Sequence, residues 1–297
     1  MTMDMFIQHC FNALTLGSLY ALIAIGYTMV YGILRLINFA HGDIFMVGAY
    51  LVFWAVGTAS LPWAVAVPLA IIGTAVAGIL VDRVAYKPLR EAPRISALIS
   101  AIGVSFLIEN LALVVFTGVP KPMPRFAPLV KVMKFGNIRI LPLAIVVPVI
   151  TFLLVVGLLW ILYKTPQGLA MRAISKDIET TRLMGVRVDR IIALTFGIGS
   201  ALAAAAGIMW ALRYPQINPF MGVMPGFKAF IAAVTGGIGS VQGAVIGGLT
   251  LGFLEILLVA FFPALTGYRD AFAFILLILI LFVKPTGLLG EKLEDKV

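Results

Sequence analysis

Apolar residues run along this chain in long uninterrupted stretches, and the polar residues gather between them. The stretches cover approximately 6–34, 36–57, 61–81, 95–117, 142–162, 191–212, 226–236, 243–262 and 271–283. No Asp, Glu, Lys or Arg stands between Asp4 and Arg35, an interval of 30 residues. A helix needs about 20 apolar residues to cross the hydrocarbon core of a bilayer. Strands of a closed barrel would alternate apolar and polar positions, whereas these stretches are apolar all round, so the pattern predicts helices. The stretch 226–236 has the length of half a helix, and 271–283 reaches a full span only by running on through the tail to about residue 289. The expectation is an all-α integral membrane protein of one domain, residues 1–297, with about 8–10 transmembrane helices.

Composition strengthens that picture. Hydrophobic residues make up 62% of the chain and charged residues 12%, against roughly 25% charged in a soluble domain; the mean hydropathy is +1.09. The opening MTMDMFIQHC lacks the basic start and small-residue cleavage site of a signal peptide. The net charge of +9 comes from bases in the loops between spans, a pattern that orients a membrane protein rather than one that binds nucleic acid. With the N-terminus outside and one crossing per stretch, 14 Lys and Arg fall inside and 7 outside. That bias predicts a cytoplasmic C-terminus, although loop 118–141, with five bases and no acid, runs against it. The single cysteine, Cys10, rules out an intrachain disulfide, and with only His9 and His41 beside it no structural metal site is expected.

Four places carry polar or glycine-rich chemistry. In LINFAHGDIFMVGAYL (36–51), Asn38, His41 and Asp43 stand just ahead of an apolar helix, with Gly42 and Gly48. This reads either as a broken helix beside a transport path, its free amides open to a carboxylate, or as a cap cluster offsetting the helix dipole. The segment 225–255 holds Gly236, Gly237, Gly239, Gly243, Gly247, Gly248 and Gly252, which favours a break or re-entrant hairpin over a continuous helix; tight helix packing is the alternative. Gly237 and Gly243-Ala244 repeat the spacing of Gly42 and Gly48-Ala49, the kind of pairing that marks transporters built from pseudo-symmetric repeats. In loop 163–190, Ser175 reads as an N-cap, Asp177 and Glu179 as a first turn and Gly185 as C′, predicting a surface helix over 176–184. It offers a docking element for a soluble partner or a helix lying on anionic lipid. Glu109, Asn110 and Glu255 fall inside apolar spans, where a polar group is a candidate for the transport path or an interface group of the bundle.

No nucleotide-binding loop is present. The nearest string, GLLGEK (287–292), lacks the spacing and hydroxyl residue of G-x-x-x-x-G-K-[ST], and neither H-E-x-x-H nor G-x-S-x-G occurs. The chain is expected to be no enzyme, borrowing its energy or needing none.

At these motifs the sequence resembles the LivH-type permeases of branched-chain amino-acid ABC importers. The residues that carry the likeness are NFAHGDIFMVGAYL (38–51), GLAMRAISKDIETTRLMGVRVDRI (168–191), GGIGSVQGAVIGGLTLG (236–252) and FVKPTGLLGE (282–291). The resemblance implies uptake of leucine, isoleucine or valine across a bacterial inner membrane by alternating access. It implies a second, LivM-type permease, two cytoplasmic ATPase subunits that bind ATP and Mg, and a periplasmic binding protein; this chain holds no cofactor. Within the loop 168–190, Arg172, Ser175, Asp177, Glu179, Thr180, Leu183, Met184 and Gly185 would belong to the coupling helix seated in an ATPase groove. Asn38, His41, Gly42, Asp43, Gly237, Gly239 and Gly243 match the family's glycine-rich motifs, and with Glu109, Asn110 and Glu255 they are the candidates for the pathway. Glu109 departs from the family, where a neutral residue, commonly Gln, precedes Asn110. Urea or short amides are alternative cargoes within the family; an ion-coupled secondary transporter, with Glu109 and Glu255 as its coupling carboxylates, is the alternative outside it.

Overall fold

The computed structural model describes residues 2–90, 92–135 and 138–290. Glu291, which ends the last family motif, and the tail bases Lys292 and Lys296 lie outside the described residues. Every apolar stretch in the sequence is recovered as a helix. In chain order the helices that form the bundle are α1 (Met3–Leu34), α2 (His41–Phe53), α3 (Trp63–Val81), α4 (Arg94–Phe116), α6 (Leu143–Lys164), α9 (Val188–Arg213), α10 (Val223–Gly236), α11 (Val241–Phe261) and α12 (Arg269–Val283). Short elements join them: β1 (Lys121–Pro122), α5 (Ala127–Val130), β2 (Met133–Phe135), β3 (Ile138–Ile140), α7 (Pro166–Lys176), α8 (Ile178–Leu183) and β4 (Gln216–Ile217).

Seven helical segments among the described residues are long and apolar enough to cross a bilayer. The other two, α2 and α10, fall short. A π-helical turn, Trp54–Thr58, prolongs α2 at its far end. The last span lengthens not through the tail, as its sequence suggests, but backward: the 3₁₀ turn Pro263–Tyr268 leads into α12, and the helix stops at Val283.

Helix α1 is the axis of the bundle. At about 1.5 Å per residue its 32 residues reach about 48 Å, beyond the ~30 Å hydrocarbon core. Its start is capped by Thr2, which accepts from the Met5 N–H, and its end by Arg35 in left-handed geometry. Small residues let it sit deep: a methyl group on Gly252 of α11 would strike the backbone of Gly17, the close approach that holds membrane helices together without a hydrophobic drive. By contrast α4, α6 and α12 turn side chains such as Val114, Phe152 and Phe282 outward, as lipid-facing helices must.

The chain repeats itself in space. A long helix, a broken approach, a short helix and another long helix occur twice, as α1–α2–α3 and α9–α10–α11. Helix α1 packs most extensively on α11 and α3 on α9, the reciprocal contacts of a pseudo-twofold. The repeat is not the one that glycine spacing suggests. Gly42 opens α2, whereas Gly237 closes α10 with φ +112°; Gly42 corresponds in position to Gly222 and Gly226 at the start of α10.

Contacts divide the connections between two faces. On one lie the α1–α2 break, residues 82–90, α7 and α8, the α10–α11 turn and residues 284–290. Tyr86 donates to Asn38, Lys87 and Arg90 hold Asp189, and the Leu288 and Leu289 N–H groups donate to Thr235 and Gly236. On the other lie the start of α1, residues 117–142, the approach to α10 and the turn into α12. Gln8 donates to the Arg139 carbonyl, β1 pairs with β4 and β2 with β3, and Arg213 donates to Asn12. These are the two sets of loops that one crossing per apolar stretch requires.

Candidate functional site

Helix α2 is approached from the α8 face and α10 from the opposite face, yet their first turns meet. A methyl group on Gly42 would lie 2.6 Å from the Gly222 carbonyl oxygen and 3.2 Å from the Gly226 Cα. Both chain segments therefore enter the bundle before turning helical, and two short helices present their N-termini at mid-depth. A helix start carries partial positive charge, although the His41, Asp43 and Val223 N–H groups are bonded here, to the Asn38, Ala40 and Phe220 carbonyls. Beside it opens a cavity of about 480 Å³, whose wall includes Tyr27 of α1, Gly42 and Asp43 of α2, Ser105 and Glu109 from the middle of α4, and Gly222 and Gly226. Phe39, Phe106, Phe220 and Phe227 supply an aromatic lining.

The polar floor is unusual. Ser105 Oγ donates to Asp43 Oδ2 at 2.5 Å, and the Asp43 and Glu109 side chains are in hydrogen-bonding contact. Among the described residues four acids are buried: Asp43, Asp82, Glu109 and Glu255. Asp82 is held by Arg90 at 2.6 Å, and Glu255 by Lys228 at 2.9 Å and Arg269 at 3.4 Å. Neither Asp43 nor Glu109 has a basic partner among the ion pairs of the described residues, and these are the two that line the cavity.

The remaining pathway candidates stand elsewhere. Asn38 is buried and accepts from Tyr86 at 2.9 Å; His41 is buried against Gly26, its ring edge-on to Tyr27 at 4.8 Å. Both point into protein beside the cavity, because α2 turns only Gly42 and Asp43 toward it. Asn110, one position past Glu109, rotates to the outer surface of α4 and donates to the Phe106 carbonyl. Gly237, Gly239 and Gly243 form the α10–α11 turn on the α8 face: Gly237 packs on Leu289 and Gly290, and Gly243 on Gly236. Glu255 is locked in the bundle with Lys228, Arg269 and the Tyr20 hydroxyl. The sequence reading passed over Lys228, Tyr27, Ser105 and the phenylalanines; only Lys228, a cation within an apolar stretch, carries a signal that reading could have used.

The loop predicted to form one helix over 176–184 forms two. Thr165 caps α7 and Pro166 takes its first position, a placement proline favours. Ser175 is thus inside α7, its hydroxyl bonded back to the Arg172 carbonyl, and is no cap. Asp177 breaks the chain and caps α8, accepting from the Glu179 and Thr180 N–H groups and from the Thr180 hydroxyl. Gly185 follows at φ +83°, the left-handed C′ position that a side chain disfavours. Thr181 turns inward while Leu183 and Met184 are 87% and 80% exposed, so α8 presents apolar side chains outward between Arg182 and Arg187. Arg172 lies over the Tyr163 ring at 5.1 Å.

Comparison with known proteins bears on what this geometry is for. The model of the family described as branched-chain amino acid transport system / permease component matches residues 9–281. The chain belongs to that family. The permease is 43% identical to the high-affinity branched-chain amino acid transport system permease protein BraD of Pseudomonas aeruginosa, with 98% of each chain covered. It is also 43% identical, again over 98% of each, to the corresponding LivH protein of Escherichia coli K12. Among solved structures it shares its fold with PsaBC from Streptococcus pneumoniae in complex with Fab, at a TM-score of 0.50 and 13% identity over 93% of this chain and 91% of that one. It is a multi-pass membrane permease with a transport role.

Proposed function

We propose that this permease carries branched-chain amino acids inward across the bacterial cytoplasmic membrane, as one half of a pathway completed by a second, LivM-type permease. The observation that carries this reading is the mid-depth cavity, where two helix N-termini stand beside two buried carboxyls that lack a basic partner. A zwitterionic amino acid supplies what each group needs. Its ammonium offsets Asp43 and Glu109, its carboxylate meets the starts of α2 and α10, and its aliphatic side chain rests on the phenylalanines. Urea and short amides bring no ammonium to the paired carboxyls, which favours amino acids over the neutral cargoes.

Drive comes from outside the chain. Two cytoplasmic ATPases bind ATP and Mg, α7 and α8 dock on them, and their closure rocks the membrane halves; a periplasmic binding protein delivers the cargo. The α8 face is then cytoplasmic, as is the C-terminus, in keeping with the excess of Lys and Arg on that side. The exposed Leu183 and Met184 give α8 an apolar surface for that docking. Of the two carboxylates an ion-coupled transporter would use, Glu255 is already held by Lys228 and Arg269, which leaves Glu109 alone for that role.

Uptake of labelled leucine by the reconstituted importer tests the assignment of the cavity. Asp43→Asn should raise the KM for leucine about tenfold, the equivalent of ~1.4 kcal/mol, while leaving assembly with the ATPases intact. An unchanged KM would remove the cavity from the pathway.

A further inference from the structure

A second cavity lies at the β-hairpin face, between the start of α1, the end of α9, α11 and the turn into α12. Its volume is about 210 Å³, and its wall shares no residue with the mid-depth cavity. His9, Arg213 and Arg269 form a basic rim with Asn12; Leu16, Leu19, Ile256 and Val259 form the floor. Leu16 and Leu19 are buried, so the cavity descends from cationic mouth to apolar base along one face of α1.

Arg213 is the informative residue. Its guanidinium donates to the neutral Asn12 Oδ1 at 2.9 Å and lies over the Tyr214 ring at 5.9 Å, and no ion pair among the described residues includes it. Arg269 spends its Nε on Glu255 and remains 43% exposed. A guanidinium presents five donors in a planar fork suited to a carboxylate, and here one bond is made to a neutral acceptor. At ~30 Å³ for each water in the liquid, the space holds about seven waters, which is too little for a phospholipid with its chains and enough for a short aliphatic acid.

We infer that this cavity is a binding site for a small aliphatic monocarboxylate, separate from the transport path, with Arg213 as its principal anion ligand. The apolar floor selects for a branched or straight hydrocarbon tail of a few carbons. No acid lines the cavity, so the ligand needs no ammonium, and this site accepts deaminated acids that the carboxyl pair of the mid-depth cavity does not favour.

Equilibrium binding of tritiated 4-methylpentanoate to the full importer complex in zwitterionic-lipid nanodiscs tests it. Saturable binding is expected, weakened tenfold or more in Arg213→Gln, weakened in Val259→Trp, which fills the floor without touching a charge, and unchanged in Glu109→Gln. Binding that survives both Arg213→Gln and Val259→Trp would overturn the assignment. Binding strengthened in Glu109→Gln, where a repelling carboxyl is removed, would place the acid in the mid-depth cavity instead, and competition by anionic phospholipid but not by short acids would show a lipid headgroup site.

Discussion

Lys228 and Glu255 sit inside the bundle at a place where an unpaired charge is costly. Lys228 Nζ lies 2.9 Å from Glu255 and 2.6 Å from Asp270, and the Tyr20 hydroxyl reaches both Glu255 oxygens at 3.3 Å. Removing one partner of a buried pair costs about 3–5 kcal/mol, whereas replacing both with apolar groups is often neutral. Lys228→Met should therefore lower the thermal midpoint of the detergent-solubilised permease sharply, and Lys228→Met with Glu255→Leu should recover most of it, as followed by fluorescence-detected size exclusion. Equal losses in the single and double variants would contradict the ion-pair account. Glu255 was visible in the sequence as a buried carboxylate, but its role was not, because its partners come from other helices and periodicity carries no information about them. The same holds for Asp43 and Glu109, whose contact joins α2 to α4. Asn110 shows the converse limit: one residue along a helix is a rotation of about 100°, enough to move a side chain from cavity to surface.

At the scale of elements, loop 163–190 was half legible. Glu179 in the first turn and Gly185 at C′ announced α8, whereas Asp177, which reads as a first-turn acid beside Ser175, is the N-cap itself. Helix α7 starts at Thr165-Pro166, a cap signal that the more conspicuous Ser175 obscures in the sequence. Loss of the Asp177 cap by Asp177→Ala should cost about 1 kcal/mol locally, and Gly185→Val places a β-branched side chain at φ +83°, where it is strained. Both variants should retain less ATPase on co-purification while the permease itself remains folded; full retention in both would argue against α8 as the docking element. Nearby, Arg90 bridges Asp82 and Asp189 at 2.6 Å each, and Lys87 adds a pair to Asp189 at 2.8 Å. These pairs tie the α3–α4 connection to the start of α9, directly after α8. Lys87 and Asp189 are about half exposed, so Lys87→Gln should change stability by ~1 kcal/mol or less. Arg90→Gln strands the buried Asp82 and should be the more harmful of the two in a thermal unfolding assay.

At the scale of the molecule, hydropathy located every helix of the bundle among the described residues, because lipid enforces apolar continuity on each span. It marked α10 as too short to cross, from the half-helix length of 226–236, but not α2, whose stretch 36–57 runs on through the broken approach. The pseudo-twofold was anticipated in kind, but the matching glycines were misassigned: spacing within a segment cannot say whether a glycine opens one helix or closes another. Orientation has its own test. In a Cys10→Ser background, an impermeant maleimide added to intact spheroplasts should label Arg125→Cys and spare Lys176→Cys, and the reverse pattern would invert the topology. The central claim, that partner ATPases drive an amino-acid zwitterion through the cavity at the meeting of α2 and α10, is tested most directly by leucine uptake into proteoliposomes holding the complete importer and its binding protein. ATP-dependent uptake is predicted with the wild-type permease, a strongly raised KM with Asp43→Asn, and no energised uptake with the two permeases alone. Concentrative uptake without the ATPases, or an Asp43→Asn importer indistinguishable from wild type, would contradict it.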